Sequence, residues 1–157
     1  EKMVLFTSFD GRISRRAFWL GFLVMAVIGV AVGLGLLAAL PGGMALKFVQ
    51  LIVLVAMCYI WAAVVVKRLH DRDKPAVPYA VIFLGPAILN SVMKIFLIGH
   101  TAVDVAGVEV AVPGLPAMIV TYVSIAVSLW MIVELGFFKG TSGGNRFVPD
   151  PLAAANG

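Results

Sequence analysis

Four long apolar segments constrain the fold of this chain more than any other feature. They run over residues 17–40, 46–66, 76–98 and 116–138, and each holds at most one charged side chain. At about 1.5 Å of rise per residue, a helix over each segment is roughly 30 Å or more long, enough to cross a hydrocarbon core. With 62% hydrophobic residues in 157, a soluble domain would have too little core to hide its apolar surface. We therefore predict one all-α membrane domain over residues 1–157, a bundle of four transmembrane helices.

The first two connections between these segments are short, and the third is longer. Pro41-Gly42-Gly43 separates the first two segments, and a charged loop over residues 67–75 separates the second from the third. The last connection is longer, and residues 102–112 alternate valines with Asp104 and Glu109 around Ala106-Gly107. Period-two alternation around a turn predicts a small hairpin outside the membrane.

The basic residues are distributed unequally between the two ends of the bundle. Ten fall at the end that carries both termini, and two fall at the other end. The ten are Lys2, Arg12, Arg15, Arg16, Lys67, Arg68, Arg72, Lys74, Lys139 and Arg146, and the two are Lys47 and Lys94. The positive-inside rule then predicts that both termini lie in the cytoplasm, an N-in, C-in topology.

Composition narrows the classes of partner and cofactor. Cys58 is the single cysteine and lies within an apolar segment, so the sequence predicts neither a disulfide framework nor a cysteine metal site. The net charge is +4, but because the basic residues cluster where the chain leaves the membrane, no nucleic-acid partner is expected. We find no short apolar segment with a small-residue cleavage site and expect no removable signal peptide.

The apolar segments contain a few polar side chains. Glu134 is costly within a membrane unless it is paired or lies close to the interface, and we expect a structural ion pair with Lys67, Arg68 or Arg16. Thr121, Ser124 and Ser128 share one stripe of the last helix and are expected to bond to backbone or to a neighbouring helix.

Three polar motifs fall at the same end of the bundle. They are FDGRISRRAFW at residues 9–19, KRLHD at residues 67–71 and GTSGGNRFVPDP at residues 140–151. In these motifs the sequence resembles the domain of unknown function 805 family of bacterial inner-membrane proteins. The resemblance rests on Phe9, Gly11, Arg12, Arg15 or Arg16, Phe18, Trp19, Lys67, Arg68, Leu69, His70, Asp71, Gly140, Thr141, Gly143, Asn145, Arg146, Phe147, Asp150 and Pro151.

The resemblance implies a protein of the bacterial cytoplasmic membrane but brings no established activity. The sequence differs from the usual family pattern in one segment and at one further position. Residues 72–77 replace a glycine-rich turn that contains tryptophan, and Val148 stands where glycine is common. These differences argue against a role that needs a flexible second loop.

An enzymatic function receives little support from the residues. His70 and Asp71 are the natural base and orienter, yet adjacent residues on a helix point about 100° apart and do not form a dyad directly. No second histidine is expected at this end, because His100 is predicted to face the opposite side. We therefore expect no enzyme activity, no catalytic residues, no bound metal and no cofactor.

A binding function fits the motifs better. Basic pockets at the cytoplasmic end of helices bind anionic headgroups, and glycine-rich turns can aim backbone N–H groups at an anion. We predict a cytoplasmic cap for anionic lipid or a protein partner. Its predicted residues are Arg12, Arg15, Arg16, Lys67, Arg68, His70, Asp71, Gly140, Thr141, Gly143, Asn145 and Arg146.

Two alternatives stay open at this point. A structural or accessory subunit of a larger membrane complex would carry the same motifs, with the charges pairing among themselves to lock the helix ends. A small transporter or channel would require a homo-oligomer, either with Ser124 and Ser128 lining a pore or with a cavity beside Pro86.

Overall fold

The structure is a computed structural model that describes residues 4–39 and 42–147. Leu40 at the end of the first predicted span, and Asp150 and Pro151 of the third motif, lie outside the described residues. The helices are α1 (Val4–Thr7), α2 (Arg15–Ala39), α3 (Gly43–Asp71), α4 (Ala76–Phe96) and α5 (Leu115–Ile132), and a π-helical turn, Val133–Phe137, continues α5. Between α4 and α5 lie strands β1 (His100–Val105) and β2 (Val108–Pro113).

Four of these helices are long and apolar enough to cross a membrane, judged by length and composition. They cover Arg15–Leu36, Gly43–Asp71, Ala76–Phe96 and Leu115–Phe137. The predicted fold class, an all-α chain with four candidate spans, is confirmed.

The helix that contains the second predicted span is longer than the span. We predicted a span over residues 46–66 and a charged connection over residues 67–75, and α3 continues to Asp71. At about 1.5 Å per residue, its 29 residues measure roughly 43 Å, more than a hydrocarbon core of about 30 Å requires. Because Lys67, Arg68 and Asp71 are buried against other parts of the chain, the last turns of α3 belong to the folded cap and not to a solvated loop.

The hydrophobic core is concentrated near the end of the bundle that carries the three motifs. Phe18 of α2, Val64 and Leu69 of α3, and Leu135 of the π-helical turn are all fully buried in one cluster. Helix α1 joins this end, where Tyr59 Oη donates to the Thr7 carbonyl at 2.9 Å. This buried cluster therefore supports the region where the motifs meet.

The predicted hairpin is present. Strands β1 and β2 pair antiparallel, with Val105 opposite Val108 and Asp104 opposite Glu109. Ala106 and Gly107 have φ angles of 56° and 84°, and two successive positive φ values are typical of a type I′ turn. The Gly107 N–H donates to Asp104 Oδ1 at 2.9 Å, which closes the turn.

Candidate functional site

The three motifs meet around the carboxylate of Asp71. Arg12 donates from Nε and Nη2 to Asp71 Oδ1 at 3.1 and 2.9 Å, and Arg68 Nη1 binds the other oxygen, Oδ2. The side chains of Arg12, Asp71 and Arg68 are 1%, 8% and 0% exposed. One buried carboxylate thus joins the first motif to the second. We call these three side chains the Arg–Asp–Arg triad.

The triad extends to the third motif through the backbone that follows the π-helical turn. Arg12 donates to the carbonyls of Thr141 and Gly143 at 2.7 and 2.8 Å. The Thr141 N–H donates to the carbonyl of Asp71 at 2.8 Å. Asn145 Nδ2 donates to the carbonyl of His70 at 2.7 Å. Residues 138–147, which we call the tail, are therefore fixed against the end of α3 by both backbone and side-chain bonds.

At two positions of the tail, steric constraints explain why the residue is glycine. A Cβ built on Gly140 would overlap the carboxylate of Asp71, so a larger residue would push the tail away from the triad. Gly143 has a φ of +77°, a backbone conformation that glycine adopts at little cost.

The arginines also satisfy the carbonyls at the end of the last helix. The C-terminus of a helix leaves its final carbonyls without backbone partners. Here five consecutive carbonyls, those of residues 135–139, each accept an N–H from a side chain. The donors are Arg68 to Leu135 and Phe138 (both 2.6 Å), Trp19 to Gly136 (3.1 Å), Arg15 to Phe137 (3.2 Å) and Arg72 to Lys139 (2.8 Å). Cationic groups at this position also favour the negative end of the helix dipole.

Glu134 forms ion pairs, but not with the expected partners. We predicted Lys67, Arg68 or Arg16, whereas the carboxylate binds Arg72 Nη2 at 2.8 Å and Lys74 Nζ at 2.6 Å. The loop after α3 turns back over the end of α5, which brings these two cations to Glu134. Asp73, between them, pairs with Arg146 at 3.0 Å. Residues 72–74 are therefore part of the cap.

His70 and Asp71 point into different surroundings. The imidazole of His70 stacks on the ring of Phe147, with centroids 4.2 Å apart and an interplanar angle of 15°. Asp71 faces the two arginines of the triad. Within residues 4–39 and 42–147, no three His, Cys, Asp or Glu side chains gather where they could hold a metal ion.

An open cleft lies beside the triad. Its volume is about 580 Å³, and it adjoins a second groove at the start of α2. The cleft is lined by Arg12, Ser14, Arg15, Arg16, Arg68, Asp71, Lys139, Gly140, Thr141 and Ser142. The groove is lined by Arg15, Arg16, Trp19, Gly136 and Phe137. Because Arg15 and Arg16 border both, the two form one continuous surface, which we call the basic cleft.

The structure thus divides the predicted site residues into groups. Seven contact one another around the triad: Arg12, Arg68, Asp71, Gly140, Thr141, Gly143 and Asn145. Arg15 and Arg16 line the basic cleft, Lys67 is buried, His70 stacks on Phe147, and Arg146 pairs with Asp73. Our site prediction omitted Lys139, Arg72 and Lys74. Lys139 directly follows the last predicted span, and this position in the sequence could have identified it as a candidate site residue.

A smaller polar groove lies between the candidate spans α4 and α5. Thr121 Oγ1 donates to Asn90 Oδ1 at 2.9 Å, which joins α5 to α4 as expected. Ser124 is 5% exposed, and its hydroxyl has no hydrogen-bond partner among the described residues. Both Ser124 and Ser128 line a groove of about 310 Å³.

Comparison with known proteins places the chain in a family. Residues 6–149 match the family model described as "Protein of unknown function (DUF805)". The chain is 33% identical over 147 residues to the uncharacterized protein YiiR of Escherichia coli K12, a match that covers 91% of this chain and 85% of YiiR. YiiR of Escherichia coli O157:H7 matches with the same identity and coverage. No solved structure matches the chain significantly. The chain belongs to the DUF805 family.

Proposed function

We propose that this chain is a multi-pass protein of the bacterial cytoplasmic membrane, without enzymatic activity, whose basic cleft binds the headgroup of an anionic lipid. In this proposal both termini lie in the cytoplasm, as the distribution of basic residues predicts. The observation that carries the proposal is the set of exposed cations in the basic cleft.

The charges of these cations are not neutralised by a carboxylate of the cleft lining. Arg16 and Lys139 are exposed, and of the described residues none forms a hydrogen bond or ion pair with either side chain. Arg15 donates to the Phe137 carbonyl, a neutral group, so its charge is retained. Asp71 is the carboxylate among the lining residues, and it already faces Arg12 and Arg68. Three positive charges therefore point into an open cleft, and phosphate is a natural partner for guanidinium groups.

The surroundings of the basic cleft match the amphipathic shape of a lipid. Trp19 and Phe137 line the same groove as the two arginines and are 37% and 62% exposed. Aromatic side chains are common at the level of the headgroups. A phospholipid placed here would set its phosphate against the arginines and its acyl chains along apolar side chains of α2.

The Arg–Asp–Arg triad has a supporting role in this proposal. Because its charges are buried and satisfied by one another and by backbone carbonyls, it holds the start of α2 and the tail in fixed positions. Arg16 and Lys139 come from these two segments. A rigid support of this kind favours binding because little side-chain and loop freedom remains to be lost.

Native mass spectrometry of the purified chain tests the proposal. Delipidated protein in detergent would be titrated with dioleoyl phosphatidylglycerol and, separately, with dioleoyl phosphatidylcholine. We expect phosphatidylglycerol to be retained preferentially, and Arg16→Gln and Lys139→Gln each to reduce its retention severalfold.

Arg146→Gln provides the matched control. It removes the same charge from an exposed arginine of the cap, but Arg146 pairs with Asp73 and does not line the cleft. Its lipid retention should stay close to that of the wild type. Equal losses in the Arg16 and Arg146 variants, or no loss in either, would contradict a defined lipid site.

The orientation is tested independently with reporter fusions. A periplasmic reporter placed after Gly43 or after Gly107 should be active, and a cytoplasmic reporter at the same positions should be inactive. The reverse pattern would put the basic cleft on the outer face and would exclude the cytoplasmic location.

A further inference from the structure

The charge of the basic cleft restricts which lipid would fit it, an inference that rests on the proposed function. The lining contains five cationic side chains and one carboxylate, a formal excess of four positive charges. Of these cations, Arg12 and Arg68 share Asp71, and three others, Arg15, Arg16 and Lys139, have no acidic partner in the lining.

A headgroup with a single phosphodiester carries one negative charge and would leave most of this excess unbalanced. Each further negative charge brought to these cations would add attraction and relieve more of their mutual repulsion. A headgroup with two phosphates supplies at least two negative charges and several acceptor oxygens. Each phosphate can accept two parallel N–H bonds from one guanidinium.

We infer that the basic cleft takes a lipid with two phosphate groups, one phosphate near Arg15 and Arg16 and the other near Lys139. The part of the basic cleft beside the triad has a volume of about 580 Å³, within the usual range for ligand pockets, about 300–1,000 Å³. The hydroxyls of Ser14 and Ser142, which also line the cleft, can donate further hydrogen bonds to phosphate oxygens. Basic pockets between helices at a cytoplasmic face are known to bind headgroups of this charge.

The apolar part of the site favours a lipid over a soluble anion. The groove that contains Trp19 and Phe137 opens directly from the two arginines, so a chain attached to the phosphates has an apolar surface to lie on. Two lipid sources carry the required chemistry: two phosphates joined by glycerol, as in cardiolipin, and a diphosphate on an isoprenoid chain.

Competition binding to the chain of residues 1–157 separates these possibilities. Purified protein in detergent would be titrated with tetraoleoyl cardiolipin, geranylgeranyl diphosphate, dioleoyl phosphatidylglycerol and inorganic pyrophosphate, with occupancy read by native mass spectrometry. We expect at least one of the two-phosphate lipids to bind tenfold or more tightly than phosphatidylglycerol. Whichever of the two binds more tightly identifies the source.

Two single substitutions test whether the cations of the cleft cause the preference for two phosphates. Arg16→Gln should remove most of the preference for the two-phosphate lipid, and Arg146→Gln should leave it unchanged. If cardiolipin exceeds phosphatidylglycerol by no more than twofold, and geranylgeranyl diphosphate does not exceed it, the two-phosphate inference fails while anionic-lipid binding stands. Pyrophosphate binding as tight as that of the isoprenoid diphosphate would refute the lipid requirement. If no anionic lipid is retained above phosphatidylcholine, the proposed function fails as well.

Discussion

Replacing Asp71 with asparagine is expected to destabilise the cap strongly, because one carboxylate compensates two buried guanidinium groups. The side chains of Arg12 and Arg68 are 1% and 0% exposed, so neither can turn to water without opening the cap. Asparagine keeps the size of the side chain but removes its charge. Removing one partner of a buried ion pair typically costs about 3–5 kcal/mol, and we expect a loss of unfolding free energy in this range.

Asp73→Asn is the matched control, since it makes the same chemical change two residues away. The side chains of Arg146 and Asp73 are 60% and 40% exposed, and an exposed pair of this kind contributes about 0–1 kcal/mol. Both variants would be unfolded by sodium dodecyl sulfate in mild detergent. Tryptophan fluorescence would follow unfolding, and of the three tryptophans Trp19 reports on the cap because it donates to the Gly136 carbonyl.

A double-mutant cycle distinguishes the ion pair from a general packing defect. Arg12→Gln with Asp71→Asn should cost less than the sum of the single changes, since each single change already breaks their shared bonds; coupling energies for contacting residues are about 0.5–3 kcal/mol. If Asp71→Asn and Asp73→Asn lower stability equally, or if the cycle shows no coupling, the buried triad is not what holds the cap together.

Three further changes test other parts of the structure in the same unfolding assay. Gly140→Ala places a Cβ against the Asp71 carboxylate and should cost about 1–3 kcal/mol by overpacking. At Gly29 a Cβ meets open space, so Gly29→Ala should be neutral or stabilise by up to about 1 kcal/mol. Equal effects of the two changes would contradict the close approach at Gly140. Glu134→Gln should cost about 1–3 kcal/mol, less than Asp71→Asn, because the ion pairs of Glu134 are partly exposed. A larger loss of stability for Glu134→Gln than for Asp71→Asn would contradict this prediction. Ser124→Ala should raise stability by about 1 kcal/mol, because it removes a buried hydroxyl that lacks a partner among the described residues. A decrease in stability would show that the hydroxyl is hydrogen-bonded.

Patterns of local sequence were sufficient for the hairpin and for most helix boundaries. The hairpin was predicted from alternating valines around Ala106-Gly107, and it forms with the expected turn. The predicted spans differ from the helices by a few residues at most ends, because long apolar segments in lipid must satisfy their backbone hydrogen bonds internally. The end of α3 is the exception. Lys67 and Arg68 look like loop residues in sequence, and only their burial in the cap explains why the helix continues.

The candidate site was predictable as a region but not as a set of contacts. Charge distribution placed the three motifs at one end of the bundle, where the structure brings them together around Asp71. The partners of Glu134 were predicted wrongly, because nothing in the local sequence shows that the loop after α3 turns back over α5. The donors to the carbonyls of residues 135–139 come from distant segments and could not be assigned by spacing along the chain.

The sequence by itself determined the number of candidate membrane spans and the end of the bundle where charge collects, because hydropathy and helix length depend on composition over about 20 consecutive residues. Tertiary structure decided which cations are structural and which are available to a ligand. Arg12 and Arg16 have the same side chain and lie four residues apart, yet one is buried against Asp71 and the other borders an open cleft. That difference arises from packing among α2, α3 and the tail, which no single segment contains.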